Sequence, residues 1–223
     1  MKFEDYKNID AYNASMLKHF LHGEKTGMHK LQTPQTESEA LINGRYFHEK
    51  IEAYLKNDPA ILSNYAILED LERERFGDNV NRRTKNYREW RNSVELSLID
   101  RNIDAAANSL LGSDVFAELT RHGGENEITL LADYQQDIKL KGRLDYLINM
   151  ENIIVDWKTT HKLPTKKNIE HAIRDYNYMF SAAFYSFLCY KNFAEWFDFI
   201  FVFVQTVPPY DIGLYTIIIK CPL

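Results

Sequence analysis

Two aspartates, Asp145 and Asp156, lie in neighbouring segments that both have the composition of β-strands. Residues 140–148 and 153–159 are rich in Leu, Ile, Val, Tyr and Trp, and the residues between them favour a turn. If the hairpin is symmetric about its turn, residues whose numbers add up to 301 face each other, and the two aspartates are such a pair. Directly opposed like charges destabilise a sheet, so this pair predicts a divalent cation bound between the carboxylates.

A lysine follows the second aspartate at strand spacing. Lys158 lies two residues after Asp156, so both side chains are expected on the same face of the strand. Two carboxylates and one ammonium group then converge on one place, which predicts a metal-dependent site. The alternative is a structural salt bridge, which would account for Lys158 but leaves the facing aspartates unexplained.

A histidine could join this site from a helix. A capping box at Thr36 and Glu39 predicts the start of a helix that runs to about Lys56. Gly44 and His48 fall on its apolar face, and the glycine one turn earlier would let another group approach closely. A single histidine on an apolar face is usually a hydrogen-bonded core residue, but the predicted metal site favours a ligand.

A basic segment, residues 82–91, carries five basic residues and one acidic residue, with Tyr87 and Trp90 between them. One interpretation is a solvated helix face. The other is contact with phosphates by the basic groups and stacking of the aromatic rings on bases. The segment alone does not favour either interpretation.

The periodicity of the chain changes from helical to strand-like near residue 121. Residues 1–120 are predicted to be mainly helical, with helices over 94–107 and 113–119 and, between residues 60 and 81, a short apolar segment followed by a polar loop. Three strands in an antiparallel meander are predicted next: Glu125–Tyr134, Asp137–Ile148 and Ile153–Thr160. One long helix over 166–191 follows, with a core stripe that includes Tyr176. Two more strands are predicted after it, Trp196–Thr206 and Gly213–Ile219. The fold class is therefore α+β, with a mixed central sheet.

Composition narrows the class of protein. The 223 residues are 45% apolar and 26% charged, with a net charge of −5, which argues against a uniformly basic surface but leaves room for a local basic groove. No segment has the length of a membrane span or the apolar core of a signal peptide, so a cytoplasmic protein is predicted. Cys189 and Cys221 are too few for a disulfide framework or a four-cysteine cluster.

The order helix–β–β–β–helix–β, with Asp145 on one strand and Asp156-Trp157-Lys158 on the next, resembles the core of PD-(D/E)xK nucleases. Gly44 to His48 resembles the G-x-x-x-H motif of RecB-like members, and Gly142 to Asp145 resembles their G-x-x-D strand. Val155 to Thr160 closely resembles the D-x-K-T-T strand of RecE-type (exodeoxyribonuclease VIII-like) phage recombination exonucleases. The resemblance covers about residues 40–219 and implies a three-layer, restriction-endonuclease-like core. It predicts one nuclease domain over residues 1–223, whose catalytic part is 121–219.

Two further segments carry the resemblance. Arg82 to Lys85 is similar to a basic element of these nucleases, and Tyr178 to Tyr185 resembles their Gln-x-x-x-Tyr helix motif, with Ser181 in place of the glutamine and Tyr185 matching. The residues that the resemblance implies for DNA binding are Arg82, Arg83, Lys85, Ser181 and Tyr185. The last predicted strand lies close to Leu223, where such nucleases usually continue into another helix, which predicts a short or truncated member.

The resemblance also implies roles at the metal site. It implies that Mg²⁺ or Mn²⁺ is bound by His48, Asp145, Asp156 and the backbone carbonyl of Trp157. An imidazole ligand is softer than Mg²⁺ prefers, so Mn²⁺ is expected to work at least as well. Lys158 would orient or activate the attacking water and stabilise charge on the phosphoryl oxygens, and Glu127 would reach a second ion or hold a water.

The function implied by the resemblance is end-dependent hydrolysis of linear double-stranded DNA in the 5′ to 3′ direction. The product tail would serve a single-strand annealing protein in phage or prophage recombination within the bacterial cytoplasm. Processive nucleases of this kind are often rings, so the resemblance also suggests a homo-oligomer, although no residue feature fixes the oligomeric state. Two alternatives remain: a DNA-binding module that has lost catalysis, which the serine at position 181 motivates, and an endonuclease on the same core.

Overall fold

The structure is a computed structural model, and it describes residues 3–33, 38–135 and 137–219. The part of the chain before the central sheet is mainly helical. Its helices and strands are α1 (Phe3–Lys7), α2 (Ala14–Lys18), a 3₁₀ turn (His19–His22), α3 (Glu24–Gln32), α4 (Glu39–Lys56), a 3₁₀ turn (Pro59–Leu62), β1 (Tyr65–Ile67), α5 (Leu68–Phe76), α6 (Lys85–Ser93), β2 (Ser97–Ile99), α7 (Arg101–Leu111) and α8 (Asp114–Thr120).

The remaining elements form the central sheet and the helices on one of its faces. They are β3 (Glu125–Tyr134), β4 (Ile138–Ile148), β5 (Ile153–Thr160), α9 (Lys166–Asp175), α10 (Tyr178–Phe193), β6 (Asp198–Gln205) and β7 (Ile212–Ile217). Within the described residues the strands are ordered β3-β4-β5-β6-β7, and the β5–β6 pair is parallel while the others are antiparallel. The predicted meander and the mixed sheet are therefore confirmed.

Helices cover both faces of this sheet. On one face, side chains of α9, α10 and α2 pack with the phenylalanines of β6 in a first core, which includes Ile169, Leu188 and Phe199. On the other face, side chains of α4, α7 and α8 pack in a second core around Trp157 and Phe47. The alternation of side chains along a strand supplies both cores from the same strands. The predicted three-layer α/β/α architecture is confirmed.

The long helix predicted over 166–191 is wrong in one respect, because it is broken between α9 and α10. Asn177 adopts a left-handed conformation with φ 51°, which ends one helix and redirects the chain into the next. As a consequence Tyr176, which was predicted to belong to the core stripe, is 63% exposed. Asparagine is one of the few residues other than glycine that visit this conformation readily.

The helical part also differs from its prediction. The polar loop expected between residues 60 and 81 contains β1 and α5, and the helix expected over 94–107 begins later because residues Ser97–Ile99 form β2, which pairs with β1 in parallel. Each strand has three residues, which is too short for an alternating pattern to be recognised.

The helix that carries His48 begins and ends at clear caps. The Ser38 side chain accepts a hydrogen bond from the Leu41 N–H at 3.3 Å, and Asn57 ends the helix with a left-handed φ of 51°. The N-cap of α4 is therefore Ser38. Thr36, which was predicted to cap it, lies outside the described residues.

The pairing of β4 with β5 opens into a fork. Residues whose numbers add up to 301 are paired, as predicted, but the ladder runs only from Ile148↔Ile153 to Tyr146↔Val155. Beyond that point the N-terminal chain takes the vacant edge of β4, where the Tyr12 N–H donates to the Lys139 carbonyl at 2.9 Å and Tyr12 accepts from the Lys141 N–H at 2.8 Å. The two predicted aspartates lie where the strands separate.

No helix in the described ranges is long and apolar enough to cross a membrane. Cys189 is a buried free thiol, and Cys221 lies outside the described residues.

Candidate metal centre and catalytic site

The site begins with two carboxylates that face each other across β3 and β4. The ladder on either side of them pairs Asn126 with Tyr146 and Ile128 with Leu144, so Glu127 lies opposite Asp145. Glu127 has a φ of 53°, which is unfavourable for a residue with a side chain, and the β3–β4 ladder has no pair at this position. Such strain persists where the surrounding structure holds it, and it marks this position as a candidate functional site.

His48 from α4 completes a cluster with these acids. Its Nδ1 lies 3.3 Å from Asp145 Oδ2, and one ligand atom from each of His48, Glu127 and Asp145 lies within 4.8 Å of the others. Asp145 Oδ2 also accepts a hydrogen bond of 2.9 Å from the Trp157 N–H, just beyond the last paired residues of β4 and β5. The Asp145 carboxylate therefore both joins the cluster and satisfies a backbone donor that the fork leaves without a strand partner.

A second charged pair lies beside the cluster on β5. Asp156 is buried, and its Oδ2 forms an ion pair with Lys158 Nζ. Lys158 Nζ also lies 5.4 Å from the centre of the Tyr178 ring of α10. Burial lowers the pKa of Lys158, but the carboxylates of Asp156 and Asp145 more than offset this and hold that pKa above its usual range. The Lys158 ammonium is therefore charged at neutral pH.

Glu127 and Asp145, which face each other, have pKa values that are shifted in opposite directions. Burial and the charge of Asp145 raise the pKa of Glu127 to about 7, while His48 and Arg143 oppose the rise. Burial would also raise the pKa of Asp145, but His48 and Lys158 hold that pKa below its usual range. The pKa of His48 is raised, because the Asp145 carboxylate outweighs the effect of burial. Asp145 thus carries the charge and Glu127 holds a proton more readily.

Arg143 is a member of the site that was not predicted. It lies two residues before Asp145 on β4, its guanidinium forms an ion pair with Glu127, and its Nη2 is 3.9 Å from a carboxylate oxygen of Glu52 on α4. Strand alternation from Asp145 was a signal that could have identified it. The positive charge of Arg143 partly offsets the negative charges of these carboxylates, so the net negative charge of the cluster is smaller than the number of its carboxylates suggests.

The donor set of the cluster fits a divalent cation. Two carboxylates that face each other repel unless a cation lies between them, and oxygen donors with one imidazole are suited to Mg²⁺ or Mn²⁺ and somewhat better to Mn²⁺. Of the predicted ligands, the structure brings together His48 and Asp145, with Glu127 as the third member. Asp156 lies next to them and pairs with Lys158.

A groove of about 1570 Å³ leads to this cluster. The N-terminal segment lines one side and α4 lines the other, and Tyr185 lines the groove together with the three clustered residues. Tyr185 stacks on Phe199 with ring centres 6.2 Å apart, and burial raises its pKa well above the usual range. Ser181, one turn earlier on α10, is buried. The groove carries side chains of both charges, including Arg45, Lys56 and Glu49.

The basic segment is placed apart from the groove. The Arg82 guanidinium donates two hydrogen bonds, of 2.8 and 2.7 Å, to the carboxylate of Glu72, which is 3% exposed and also accepts from the Tyr87 hydroxyl. Tyr87 is buried, and Trp90 packs edge-on against Phe76, so the aromatic residues of this segment belong to a small local core. Base stacking by Tyr87 is therefore excluded.

Arg83 and Lys85 in the same segment are exposed, and neither lines the groove. Lys18 of α2, in contrast, was not predicted at the site, although its Nζ lies 5.3 Å from the centre of the same Tyr178 ring that Lys158 approaches. No local sequence signal connects a residue of α2 with β5, because the contact depends on the tertiary fold.

The sequence profile of a PDDEXK-like domain of unknown function, DUF3799, matches residues 13–220. The fold is similar to the crystal structure of a predicted exonuclease from Eubacterium rectale, with 16% identity, a TM-score of 0.62 and coverage of 98% of this chain and 78% of that chain. A second structure, that of SSO0001, has 14% identity and a TM-score of only 0.30, with coverage of 88% of this chain and 78% of that chain. No curated protein sequence is significantly similar.

At 16% identity the Eubacterium rectale structure supports the fold alone. The mixed sheet between helical layers, together with the match to a PDDEXK-like domain, is the restriction-endonuclease-like α+β core that was predicted. The match to the family profile extends over most of the chain, from the residue before α2 to the residue after the last described one. The protein therefore belongs to the PDDEXK-like family DUF3799.

Proposed function

We propose that this protein is a divalent-metal-dependent deoxyribonuclease that hydrolyses phosphodiester bonds. The observation that carries the proposal is the cluster of His48, Glu127 and Asp145 at the fork of β4 and β5, beside the buried Asp156–Lys158 pair. A cation site, a charged ammonium group and an open groove are the parts that metal-assisted hydrolysis of a phosphodiester requires. Membership of a PDDEXK-like family supports the same reaction class.

The side chains divide the work of the reaction. His48, Asp145 and Glu127 hold the cation, with Asp156 and the Trp157 carbonyl as further candidate ligands. The cation, when bound, polarises the scissile phosphate and lowers the pKa of a bound water. Because the Lys158 ammonium is charged, it stabilises negative charge that develops on the phosphoryl oxygens and orients the attacking water, and it does not accept a proton at neutral pH.

We further propose that the substrate is linear double-stranded DNA degraded from its ends in the 5′ to 3′ direction. The support is the resemblance of Val155 to Thr160 to RecE-type exonucleases, and the description of the Eubacterium rectale protein as a predicted exonuclease agrees with it. By the same resemblance the protein acts as one nuclease domain, in the cytoplasm of a bacterium that carries the phage or prophage, with an annealing protein as partner and a homo-oligomer as its assembly. We propose that Tyr185 and the exposed Arg83 and Lys85 contact the DNA. Arg82 and Ser181 contribute to DNA binding indirectly, by holding the residues next to them in position.

The first test compares linear and covalently closed duplex DNA in buffers with EDTA, Mg²⁺ or Mn²⁺. Wild-type protein should degrade linear DNA only when a metal is present, and 5′-labelled and 3′-labelled substrates should show release from the 5′ end first. Lys158→Met should lower the rate by a factor of about 10² to 10³, because it removes one charged donor. Lys162→Met, at an exposed lysine four residues later, is the matched control and should retain the wild-type rate.

The assay separates this proposal from its alternatives. Cleavage of closed circles would assign an endonuclease on the same core. Binding of DNA without cleavage in any metal would assign a binding module. Equal rates for Lys158→Met and Lys162→Met would show that the cleavage does not use this site.

A further inference from the structure

A cationic and aromatic surface lies beside the Asp156–Lys158 pair, at the break between α9 and α10. It consists of Lys18, Tyr176 and Tyr178, and we call it the α9–α10 corner. Tyr176 and Tyr178 stand on either side of Asn177, whose left-handed conformation turns the chain there. Their rings are 5.5 Å apart and inclined by 30°. None of these side chains has a role in the mechanism described above.

The aromatic part of the corner runs from solvent into the core. Tyr176 is 63% exposed, whereas Tyr178 is half-buried and stacks on Phe201 of β6, with ring centres 5.4 Å apart. Tyr178 is therefore held rigidly by the sheet, and Tyr176 extends the same aromatic surface into solvent. A fixed aromatic surface with one exposed ring next to a phosphodiesterase site is suited to stacking on a base.

The cationic part of the corner is Lys18, which forms no ion pair with a described residue. Lys18 Nζ donates to the Tyr176 carbonyl at 3.0 Å, and no carboxylate of the described residues lies within ion-pair distance of it. Lys18 and Lys158 approach the Tyr178 ring to 5.3 and 5.4 Å, so two ammonium groups share one ring. Burial and the charge of Lys158 lower the pKa of Lys18 to about 8, although the Asp156 carboxylate opposes this decrease. An anion bound between the two lysines would relieve this repulsion.

We propose that the α9–α10 corner binds the nucleotide next to the scissile phosphate, an inference that rests on the proposed function. In this subsite Lys18 contacts a phosphate of the DNA strand, and Tyr176 stacks on a base. Lys158 would act on the phosphate that is cleaved, and Lys18 on its neighbour along the same strand. The corner is then a positioning subsite that fixes the register of the strand. It takes no part in bond cleavage.

The test measures binding of a fluorescein-labelled DNA oligonucleotide by anisotropy in EDTA, over a series of salt concentrations. Lys18→Met should weaken binding about tenfold, and it should reduce the slope of log affinity against log salt by about 0.7 to 0.9, because one phosphate contact is lost. Lys18→Arg should restore both values. Lys25→Met, at an exposed lysine of α3, is the matched control and should match wild type in both.

The stacking contact has a different signature. Tyr176→Ala should weaken binding about tenfold without any change in the salt slope, since an uncharged contact is lost, and Tyr176→Phe should retain wild-type affinity. In the cleavage assay with Mn²⁺, Lys18→Met and Tyr176→Ala should raise KM more than they lower kcat. Circular dichroism of each variant checks that the fold is retained.

The outcomes distinguish the two proposals. If wild-type protein binds and cleaves DNA but Lys18→Met has the affinity and salt slope of Lys25→Met, the subsite is overturned and the proposed function stands. If wild-type protein neither binds nor cleaves DNA, the proposed function fails and the subsite fails with it. Loss of kcat with unchanged KM in Lys18→Met would also contradict a positioning role.

Discussion

Glu127 shows how a single position combines backbone strain with an unusual acidity. Its left-handed backbone directs the carboxylate towards Asp145, and the low exposure of both side chains strengthens the repulsion between them. The pKa of about 7 follows from burial first and from Asp145 second. In the metal-free protein the site therefore avoids holding both carboxylates ionised at once, as closely spaced acids generally do.

The acidity of Glu127 predicts a pH-dependent stability. Its pKa in the folded protein lies above the ordinary value near 4.5, so the folded state holds the proton longer than the unfolded state. Its contribution to the free energy of unfolding is largest below about pH 4.5 and is lost as the pH rises through about 7. We expect the free energy of unfolding of Glu127→Gln to lack this decline. The measurement is urea unfolding of both proteins in EDTA, between about pH 5 and about pH 8.

The comparison of Glu127→Gln with wild type isolates the contribution of Glu127 to the pH dependence, because His48 and Asp156 are present in both proteins. The difference in unfolding free energy between Glu127→Gln and wild type should grow in favour of the variant as the pH rises. A constant difference across the range would contradict the raised pKa. Saturating Mn²⁺ should reverse the preference, since the variant has lost a candidate ligand.

At the scale of elements, the close packing of β4 on α10 positions Tyr185 beside the cluster. Gly142 lies on β4 where its missing side chain makes room for α10: a Cβ there would meet Leu188 Cδ1 at 2.4 Å and ring atoms of Tyr185 at 3.0 Å. The glycine of the predicted G-x-x-D strand is thus explained by packing against the helix that supplies Tyr185.

Two glycine substitutions are expected to have opposite effects. Gly142→Ala should destabilise the protein by about 1–3 kcal/mol, because α10 must move away from β4. Gly44→Ala, in the interior of α4, should stabilise it by about 0.5–1 kcal/mol, because its Cβ would meet nothing within 4 Å. Urea unfolding measures both. A stability loss in Gly44→Ala as large as that in Gly142→Ala would contradict this account.

Much of the sheet could be predicted because its information is local. The alternation of apolar residues located β3, β4 and β5, and the symmetry of the turn gave the register that pairs Tyr146 with Val155. The break between α9 and α10 could not be predicted from periodicity, since the apolar spacing continues across Asn177. Only its backbone conformation shows that the helix ends there, and this conformation is why Tyr176 is exposed.

The composition of the site could be predicted less completely than the sheet. Asp145, Asp156 and Lys158 follow from strand spacing, whereas the partners that they meet depend on how distant elements pack. Lys18 reaches Tyr176 across 158 positions of sequence, and no local pattern records such a contact. The basic segment is the opposite case, because the family resemblance implied that Arg82 contacts DNA, whereas Arg82 is bound to Glu72.

At the scale of the whole molecule, one buried lysine joins the N-terminal segment to the sheet. Lys141 Nζ donates to three backbone carbonyls near the end of α1, those of Tyr6 and Lys7 at 3.1 Å and that of Ile9 at 2.7 Å. The N-terminal segment forms one wall of the groove, so the shape of the groove depends on this contact. The Lys141 side chain is therefore structural, although it directly precedes the G-x-x-D motif that contains Asp145.

Removal of this lysine should detach the wall. Lys141→Met leaves three carbonyls without their donor and should cost about 1–3 kcal/mol of stability. Limited proteolysis should then cut the variant between α1 and α2 faster than it cuts wild type. Lys139→Met, at an exposed lysine two residues earlier on β4, is the control and should be cut at the wild-type rate. Equal protection of both variants would contradict the role of Lys141.

The long separation between the N-terminal wall and the sheet also has a kinetic consequence. Tyr12 occupies the edge of β4 beside Leu140, and Lys141 reaches Tyr6 across 135 positions of sequence, so the wall contacts a strand that is synthesised much later. Because contacts between distant parts of the chain are costly to form early, we expect docking of the wall to follow formation of the hairpins. Lys141→Met should accordingly accelerate unfolding more than it slows folding. On this account the groove is completed late in folding, and a nascent chain that has not yet produced β4 lacks the strand on which the N-terminal wall docks.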